Sequence, residues 1–497
     1  MDIRNQYIYV EPELYTTDVL AMLRSFFPEK NLKVAVPESR PETREEAARD
    51  GYFCTVKCDG HVASVEIFGR QLTYPEAPEA GEQLTDKTFK KGLGAFLYRI
   101  LQEETGRSLP WGNLNGVRPT KPAFRALQAG KTREEILESY GREHFVSREK
   151  AELAVDIAGR ELGLLRCFDH DGAGVSAGYS LYIGIPFCPS TCLYCSFTSF
   201  PIAAYRGETD RYVDCLLREL EGTVRLMGGK APDTVYVGGG TPTTLSAMQM
   251  DRLLGELASQ LDLTDIAELT VEAGRADSIT PEALEVMKRR GVTRISINAQ
   301  TMQQRTLDVI GRRASVSQVR EAYAAARACG FDNINMDLIL GLPGETAADV
   351  ADTMEQVQDL RPESLTVHSL AIKRASALSR IIEEKGMPVL ENTAQTMEIA
   401  ARGAAQMGLL PYYLYRQKNM SGNFENVGYA LPGKYGYYNV LMMEELQSIL
   451  ALGAGVVSKS VLPGPPLQIR RCENVKDVRL YMDMTEDMVK RKEELFA

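Results

Sequence analysis

The sequence contains no run of about 18 uninterrupted apolar residues, the length that a membrane-spanning helix needs. Its N-terminal segment, MDIRNQYIYVEPELYTTDVL, also lacks the basic start and the apolar core of a secretory signal peptide. We therefore expect a cytoplasmic protein with no membrane span.

An excess of positive charge is missing as well. The chain has 57 Lys and Arg against 67 Asp and Glu, which gives a formal net charge of −10 and a pI near 5.3. Such a chain creates no overall field that attracts a polyanion, so we expect no nucleic-acid partner.

A regular disulfide framework is also absent, because the nine cysteines are odd in number and mostly scattered. In a long cytoplasmic chain, this usage favours metal or redox chemistry over structural disulfides. Three of the nine lie close together, in the segment IPFCPSTCLYCSF.

The length and composition indicate a folded protein of several regions. With 497 residues, 44% hydrophobic and 25% charged, the chain has globular composition and is too long for one ordinary core. A glycine-rich stretch near residue 175 and a change of pattern near residue 375 suggest the boundaries. We predict an α+β accessory domain of unassigned role (residues 1–175), a barrel core (176–375) and a C-terminal extension that covers the substrate (376–497).

From residue 181 onward, short apolar strands alternate with segments that have helical spacing. The strands are LYIGIPF, TVYVGG, ELTVEA, RISINA, INMDLIL and LTVHSL. This alternation predicts a parallel sheet, either doubly wound or part of a (β/α) barrel, whose functional face lies at the carboxyl ends of the strands. Farther on, TAQTMEIAARGAAQMGL and MMEELQSILALGAG are predicted to be helices.

The clustered cysteines, Cys188, Cys192 and Cys195, follow the first of these strands. Their spacing lets a short loop place three thiolates around one metal centre. A structural zinc ion would call for a fourth Cys or His, which the residues after Cys195 do not supply. A [4Fe–4S] cluster held by three thiolates instead leaves one iron open to another ligand.

Polar groups follow the later strands. The second strand runs into Gly238 and the sequence GGGTP, which permits close backbone approach to a ligand. Glu272, Gln300, Asp337 and His368 lie at or near the ends of the next strands. Burying such groups without hydrogen-bond partners is costly. Their recurrence at successive strand ends therefore favours binding of a polar ligand over simple core packing. For His368 alone, a hydrogen-bonded structural role and a ligand role remain equally open.

These motifs carry a family resemblance. Cys-x3-Cys-x2-Cys after a strand, followed by GGGTP, resembles the radical S-adenosylmethionine (SAM) superfamily. The segments YIGIPFCPSTCLYC, VEAGR, RISINAQT and NMDLILGLPGET are similar to the oxygen-independent coproporphyrinogen III oxidase group. The segments PYYLYRQKN, NFENVGYALPGK, MEELQSILALGAG and NVKDVRLYMDM resemble its HemZ branch in particular.

The resemblance implies an α/β fold: a partial (β/α)6 TIM-like radical SAM barrel with an N-terminal α+β domain and a mainly helical C-terminal extension. It implies that SAM is the missing ligand of a [4Fe–4S] cluster, and that reductive cleavage of SAM gives a 5′-deoxyadenosyl radical. The implied reaction is oxidative decarboxylation of two propionates of coproporphyrinogen III to give protoporphyrinogen IX. The reaction also needs an electron donor, such as a flavodoxin or ferredoxin, whose identity the sequence does not reveal.

The resemblance also implies the site residues. Cys188, Cys192 and Cys195 would hold the cluster, and two SAM positions would be contacted by two sets of residues. The first set is Tyr182, Gly239 and Glu272, with Glu272 on the ribose; the second is Tyr194, Gly240, Thr241, Gln300, Arg312 and Asp337.

Three positions depart from the oxidase pattern. Gly184 stands where the pattern has histidine, Phe197 where it has a further cysteine, and Ala276 where the ribose motif has proline. The first two differences concern substrate handling more than radical formation. They keep three alternatives open: a haem chaperone with His368 as the candidate haem ligand, a haem-modifying radical enzyme, and a structural zinc protein.

Four residues in other loops are weaker candidates. Arg416, Lys418 and Lys434 lie in a tyrosine-rich region and could pair with propionates, but solvated surface is the better interpretation of each. Trp111, the only tryptophan, is expected to pack in a turn of a small core.

Overall fold

The computed structural model describes residues 5–75, 85–172, 174–195, 199–371, 378, 392–417, 424–462, 464 and 467–497. The chain divides into two compact units, one of residues 1–155 with 416–425 and one of residues 156–415 with 426–497. The division falls inside a helix, ahead of the glycine-rich stretch near residue 175. Within the described residues, no helix is both long and apolar enough to cross a membrane.

The first unit is built on a five-stranded sheet with the order β2-β1-β3-β4-β5, in which β1 runs parallel to both of its neighbours. A hydrophobic core lies between this sheet and helices α1 and α3. The strands are β1 (Asn5–Glu11), β2 (Asn31–Val34), β3 (Tyr52–Asp59), β4 (Val62–Ile67) and β5 (Arg70–Tyr74). The helices are α1 (Thr16–Phe26), α2 (Pro41–Asp50), α3 (Asp86–Thr105), α4 (Lys121–Gln128), α5 (Arg133–His144) and the start of α6 (Arg148–Leu165).

Trp111 belongs to this unit, and the structure confirms its packing role. Its side chain is fully buried, and its indole Nε1 donates to Glu425 Oε2 over 2.7 Å. Lys150 neutralises the same buried carboxylate through a 2.7 Å contact with Glu425 Oε1. The segment that carries Glu425 is thereby fixed within the first unit.

The second unit contains the predicted barrel. Six parallel strands are neighbours in chain order, which is typical of a (β/α) barrel and not of a doubly wound sheet. They are β6 (Tyr179–Ile185), β9 (Thr234–Gly239), β10 (Glu268–Gly274), β11 (Arg294–Ile297), β12 (Ile334–Leu340) and β13 (Ser364–Ser369). Two short strands, β7 (Phe187–Cys188) and β8 (Phe200–Pro201), pair beyond the end of β6.

Helices connect the barrel strands, and several begin with the capping signals that their sequences carry. Thr280 caps a helix with Pro281 at its first position, and Ser246, Ser315 and Thr346 each form a capping box. The helices are α7 (Thr209–Leu226), α8 (Ala247–Gln260), α9 (Pro281–Arg289), α10 (Gln304–Val309), α11 (Val316–Ala328) and α12 (Ala347–Leu360).

The C-terminal extension contributes strands to both edges of the barrel sheet, in addition to the expected helices. One edge gains β15 and β14 next to β13, and the other gains β16, β17 and β18 next to β6. The strands are β14 (Leu410–Tyr415), β15 (Asn426–Ala430), β16 (Ser448–Leu452), β17 (Val457–Leu462) and β18 (Gln468–Glu473). The helices are α13 (Ala394–Gln406), α14 (Tyr437–Glu444), α15 (Val478–Asp483) and α16 (Thr485–Phe496).

One predicted helix in this extension is wrong. The segment MMEELQSILALGAG contains only the end of α14, because the chain leaves the helix at Glu445 with a φ of +53°. The residues that follow form β16, which pairs with β6 in parallel. A short apolar run such as SILAL fits a buried strand as well as a helix, so the sequence pattern alone did not separate them.

The two faces of the barrel sheet differ in chemistry. One face is apolar and buried, with residues such as Val237, Val271 and Ile295. On the other face, the strand register places polar side chains beside one another from strand to strand. In strand order they are Tyr182, Tyr236, Thr270 and Glu272, Ser296, Asn335 and Asp337, and Thr366 and His368. We call this face the polar face.

Candidate active site

The three clustered cysteines lie just past the carboxyl end of β6. Cys188 closes the short strand β7, Cys192 is buried, and Cys195 donates its backbone N–H to the carbonyl of Cys192 over 3.1 Å. None of the three takes part in a disulfide within the described residues. Burial raises the pKa of the Cys188 thiol, so this thiol is protonated near neutral pH until a metal replaces the proton.

The glycine run after β9 lies directly against this cysteine loop. Gly239 has a φ of +108°, a conformation that side chains disfavour. A Cβ on Gly240 would lie 2.5 Å from the carbonyl oxygen of Phe187, so only glycine fits. The backbone N–H groups of Gly240 and Thr241 donate to Ile185 and Phe187 over 2.7 Å. Backbone hydrogen bonds thus join the two loops. We call Gly239, Gly240 and Thr241 the glycine cradle.

Thr241 adds a direct contact with a cluster residue. Its hydroxyl donates to Cys188 Sγ over 3.5 Å. A hydrogen bond to a cluster sulfur is one means by which a protein tunes the reduction potential of an iron–sulfur centre.

Two arginines hold the cysteine loop from its other side. Arg275 is buried, donates through Nη1 to the carbonyl of Ser190 over 2.9 Å, and lies 3.8 Å from Cys192 Sγ. Asp277 pairs with this guanidinium over 2.7 Å. The second arginine, Arg312, donates to the Tyr194 hydroxyl over 3.0 Å. Both arginines therefore help to hold the cysteine loop in place.

Glu272 lies on the polar face near the end of β10. The Tyr236 hydroxyl donates to Glu272 Oε1, and the backbone of Gly239 also hydrogen-bonds this carboxylate. Burial nevertheless raises the pKa of Glu272 to about 7, since desolvation outweighs these bonds. This carboxyl is poised to ionise when a ligand supplies further donors.

Asp337 and His368 lie on neighbouring strands of the same face. His368 Nε2 is 3.9 Å from Asp337 Oδ2, and the Tyr415 hydroxyl is 3.3 Å from His368 Nδ1. Burial opposes ionisation of Asp337, but His368 and Asn335 outweigh it and hold its pKa below the usual value. Asn335 Nδ2 donates to Asp337 Oδ1 over 2.7 Å.

Within the described part of the chain, three buried polar atoms around the end of β11 have no hydrogen-bond partner: Ser296 Oγ, Asn298 Oδ1 and Gln300 Oε1. Gln300 has a φ of +69°, and its backbone is bonded to β12 on both sides, to Asp337 and Ile339, over 2.8 Å. An unsatisfied buried polar group costs about 1–3 kcal/mol. A ligand with hydrogen-bond donors would remove that cost here.

The structure brings the residues predicted for SAM into two neighbouring groups. Around the cradle, a Cβ on Gly239 would lie 3.4 Å from the Tyr182 hydroxyl, and Gly240 and Thr241 contact the cysteine loop. Around β11 and β12, Gln300 is bonded to Asp337, and Arg312 donates to the carbonyl of Asn298 over 2.8 Å. Their roles in binding SAM stay predictions.

Other candidates have structural roles or lie outside the described residues. Arg416 is buried and donates to the carbonyl of Leu114, and Lys434 pairs with Asp332 over 2.9 Å. The predictions that fall on Phe197 and Lys418 lie outside the described residues.

The sequence reasoning missed Arg275, Tyr236, Ser296 and Asn298 as parts of the site. Arg275 directly follows the VEAG segment, so its place at a strand end was a usable signal. Ser296 lies opposite Glu272 on the neighbouring strand, and Asn298 follows two residues later, just past the end of β11, so the period of two could also have indicated them. Nothing local marks Tyr236, because tyrosine is ordinary in strands.

The donor set fits an iron–sulfur cluster with an exchangeable ligand. Three cysteines outside any disulfide share one loop, and the glycine run after β9 packs directly against that loop. In the described part of the chain, no three Cys, His, Asp or Glu side chains are placed to hold a single metal ion. In a [4Fe–4S] cluster each thiolate binds a different iron, so convergence on one ion is not required.

Comparisons with known proteins agree with this geometry. The radical SAM superfamily matches residues 182–357. The oxygen-independent coproporphyrinogen-III oxidase-like protein HemZ of Bacillus subtilis is 38% identical over 88% of this chain and 89% of its own. The chain belongs to the HemZ family of radical SAM proteins. Its cofactors are therefore a [4Fe–4S] cluster and SAM, as the sequence resemblance implied.

Two further relatives extend the comparison. The haem chaperone HemW of Bacillus subtilis is 32% identical over 61% of this chain and 75% of its own. The solved structure of coproporphyrinogen III oxidase (HemN) from Escherichia coli, described as a radical SAM enzyme, is 23% identical, with a TM-score of 0.49 over 63% of this chain and 70% of its own.

Proposed function

We propose that this HemZ-family protein oxidatively decarboxylates coproporphyrinogen III to protoporphyrinogen IX without oxygen. The observation that carries the proposal is the likeness to HemZ, a coproporphyrinogen-III oxidase-like protein, over 88% of this chain. That likeness extends well beyond the residues that the superfamily as a whole matches, 182–357.

The chain's own residues bind and orient the reactants. Cys188, Cys192 and Cys195 hold the cluster; when bound, the cluster and SAM together supply the abstraction of hydrogen atoms from carbon. Tyr182, Gly239 and Glu272 contact the SAM on the cluster, with Glu272 accepting from the ribose hydroxyls. The proposed second SAM position is bounded by Tyr194, Gly240, Thr241, Gln300, Arg312 and Asp337.

The proposed reaction balances for each of two propionates. One hydrogen atom leaves the side chain and ends in 5′-deoxyadenosine, the carboxylate leaves as CO2, and one electron passes to an acceptor. A flavodoxin or ferredoxin is the proposed source of the electron that reduces the cluster.

The region around Gly184 differs from the oxidase pattern for a steric reason. A Cβ at Gly184 would lie 2.5 Å from Val456 Cγ1 and 3.3 Å from the carbonyl oxygen of Leu452. The space that the histidine of the oxidase pattern would need is filled by Val456, which lies between β16 and β17, and by the carbonyl of Leu452 at the end of β16. Substrate contacts in this protein therefore come from other residues of the polar face.

The test is an anaerobic assay of the cluster-reconstituted protein with SAM, a reductant and coproporphyrinogen III, followed by mass spectrometry. We expect 5′-deoxyadenosine that depends on the substrate, together with loss of two CO2. The Cys195→Ala protein is the matched control and should produce neither. SAM cleavage without decarboxylation would disprove the substrate assignment and retain the radical enzyme.

A haem chaperone is the second candidate, supported by the likeness to HemW and by one residue. His368 is half-buried at the carboxyl end of β13, where its imidazole could serve as an axial ligand of haem iron. The discriminating measurement is a haem titration of wild type and His368→Ala by absorbance. Tight haem binding that the substitution abolishes, without turnover of coproporphyrinogen III, would favour the chaperone.

A further inference from the structure

Three tyrosine rings form a cluster on the polar face. Tyr236 of β9 lies nearly parallel to Tyr438 of α14, with ring centroids 4.6 Å apart and an interplanar angle of 24°. Tyr182 of β6 is 6.0 Å from Tyr236 at 11° and 6.2 Å from Tyr438 at 24°. We call these residues the tyrosine cluster. Tyr236 thus has a ring neighbour from the barrel and one from the C-terminal extension.

The hydroxyl of Tyr236 donates to Glu272 Oε1, on the next strand. A Cβ on Gly238 would lie 2.7 Å from Tyr236 Cε1 and 3.0 Å from Glu272 Oε2, so glycine at this position makes room for the pair. An ionised carboxylate accepts about four hydrogen bonds, so Glu272 keeps capacity for a ligand.

Helix α14 holds Tyr438 in place from the amino end of the barrel. The backbone N–H at the start of this helix, on Tyr437, donates to the buried carboxylate of Glu268 over 2.5 Å. Glu268 begins β10, the strand that carries Glu272 farther along. The extension is therefore anchored to the same strand that it influences through the tyrosine cluster.

We propose that Tyr236 is a positioning residue that aims the Glu272 carboxylate at the ribose hydroxyls of SAM, and that Tyr438 holds the Tyr236 ring. The proposal rests on the role of Glu272 under the proposed function. A freely rotating Glu272 side chain would lose conformational entropy when SAM binds. Because Tyr236 already fixes this side chain in the folded protein, that entropy cost is not added to the free energy of SAM binding. The C-terminal extension thereby contributes to SAM affinity without touching SAM.

The experiment measures the dissociation constant of SAM by anaerobic equilibrium dialysis on cluster-reconstituted protein with matched iron content. Tyr236→Phe keeps the ring and removes the donated hydrogen bond, and we expect about tenfold weaker binding. Tyr438→Leu should weaken binding several-fold, about half as much in free-energy terms. Tyr435→Phe, a half-buried tyrosine of the same region outside the cluster, is the control and should bind SAM as wild type does.

A second probe separates positioning from general damage. Methionine carries the amino and carboxylate groups of SAM but no ribose, and we expect its binding at the cluster to shift the electron paramagnetic resonance signal of the reduced cluster. Tyr236→Phe should leave the methionine-induced shift and its midpoint concentration unchanged. Equal weakening of methionine and SAM would overturn the proposal, since it would show a defect in the cluster loop.

The Glu272→Gln variant distinguishes failure of this proposal from failure of its premise. If Glu272→Gln weakens SAM binding and Tyr236→Phe does not, the positioning role is wrong and the ribose assignment stands. If Glu272→Gln binds SAM like wild type, the ribose assignment is wrong and the positioning role falls with it. A Tyr236→Phe/Glu272→Gln double variant no weaker than Glu272→Gln alone would support both.

Discussion

The two ends of the barrel both contain buried polar side chains, but they satisfy them differently. At the amino end, Glu268 accepts from the Thr270 hydroxyl over 2.8 Å and from the backbone of Tyr437, and Arg294 donates to Ser364 Oγ over 2.8 Å. At the carboxyl end, Ser296 and Asn298 each have a buried polar atom that finds no partner among the described residues. The polar groups of the first end are thus bonded within the fold, whereas the second end keeps acceptors that a ligand could use.

The same sequence signal therefore has two meanings. A charged or polar residue within an apolar strand can support the fold or can face the candidate site. Glu268 and Glu272 lie on the same strand, β10, yet Glu268 accepts from the first N–H of α14, whereas Glu272 accepts from Tyr236 and from the glycine run beside the cysteine loop. Position along a parallel strand separates the two cases.

The prediction with the largest expected effect concerns the cysteine loop at the carboxyl end of the barrel. Cys192→Ala should reduce the iron bound after anaerobic reconstitution from about four atoms per chain to nearly none, because a cluster ligand is lost. Iron and sulfide analysis and the visible absorption band measure it. Cys329→Ala, which removes a thiol outside the loop, should retain the full content. A Cys192→Ala protein with normal iron would refute the assignment of the loop.

The next effect tests the amino end. Glu268→Ala leaves the buried guanidinium of Arg294 without its nearby carboxylate and removes the acceptor for Tyr437, so it should lower the free energy of unfolding by about 3–5 kcal/mol. Urea unfolding measures the change. Glu285→Ala on the exposed side of α9 is the control and should stay within about 0.5 kcal/mol of wild type. A similarly small change for Glu268→Ala would show that the contacts of Glu268 with Arg294 and Tyr437 do not stabilise the amino end of the barrel.

Much of the barrel could be predicted from the sequence, because its strands are short apolar runs separated by capped helices. The cysteine loop and the glycine cradle were also predictable, since each is a compact motif directly after a strand. Gln300 was indicated by its position after a strand, whereas Arg312 required the family resemblance, because its spacing alone specifies no contact.

The rest depended on contacts between distant parts of the chain. Tyr438 reaches Tyr236 across about two hundred positions of sequence, and no local pattern reports such a pairing. The strand β16 was predicted as helix because the residue that ends α14, Glu445, is not a glycine and gives no stop signal. Val456 against Gly184 is likewise a consequence of how β16 pairs with β6.

A smaller effect concerns the pH dependence of stability at the carboxyl end. Folding raises the pKa of Glu272 from 4.5 to about 7 through burial, so between these values the folded chain binds the extra proton. Its contribution to stability is therefore present below about pH 4.5 and is lost as the pH rises through 7, by at most about 3 kcal/mol.

Urea unfolding of the metal-free protein between pH 4 and 8, compared with Glu272→Gln, isolates this contribution. Glutamine cannot ionise, so the wild type should lose stability relative to the variant as the pH rises to 7. Parallel pH profiles of the two proteins would contradict the raised pKa of Glu272.

The smallest effect has the opposite sign to that at the amino end. Ser296 is 5% exposed and its hydroxyl has no partner among the residues that the structure describes, so Ser296→Ala removes a desolvated group and should raise the free energy of unfolding of the metal-free protein by up to about 1 kcal/mol. Thr270→Ala, which removes a hydroxyl bonded to Glu268, should instead lower it by about 1 kcal/mol. Removing either of two hydroxyls on the same face of adjacent strands would then change the free energy of unfolding in opposite directions. The physical reason is that the fold itself satisfies one of them and leaves the other for a ligand.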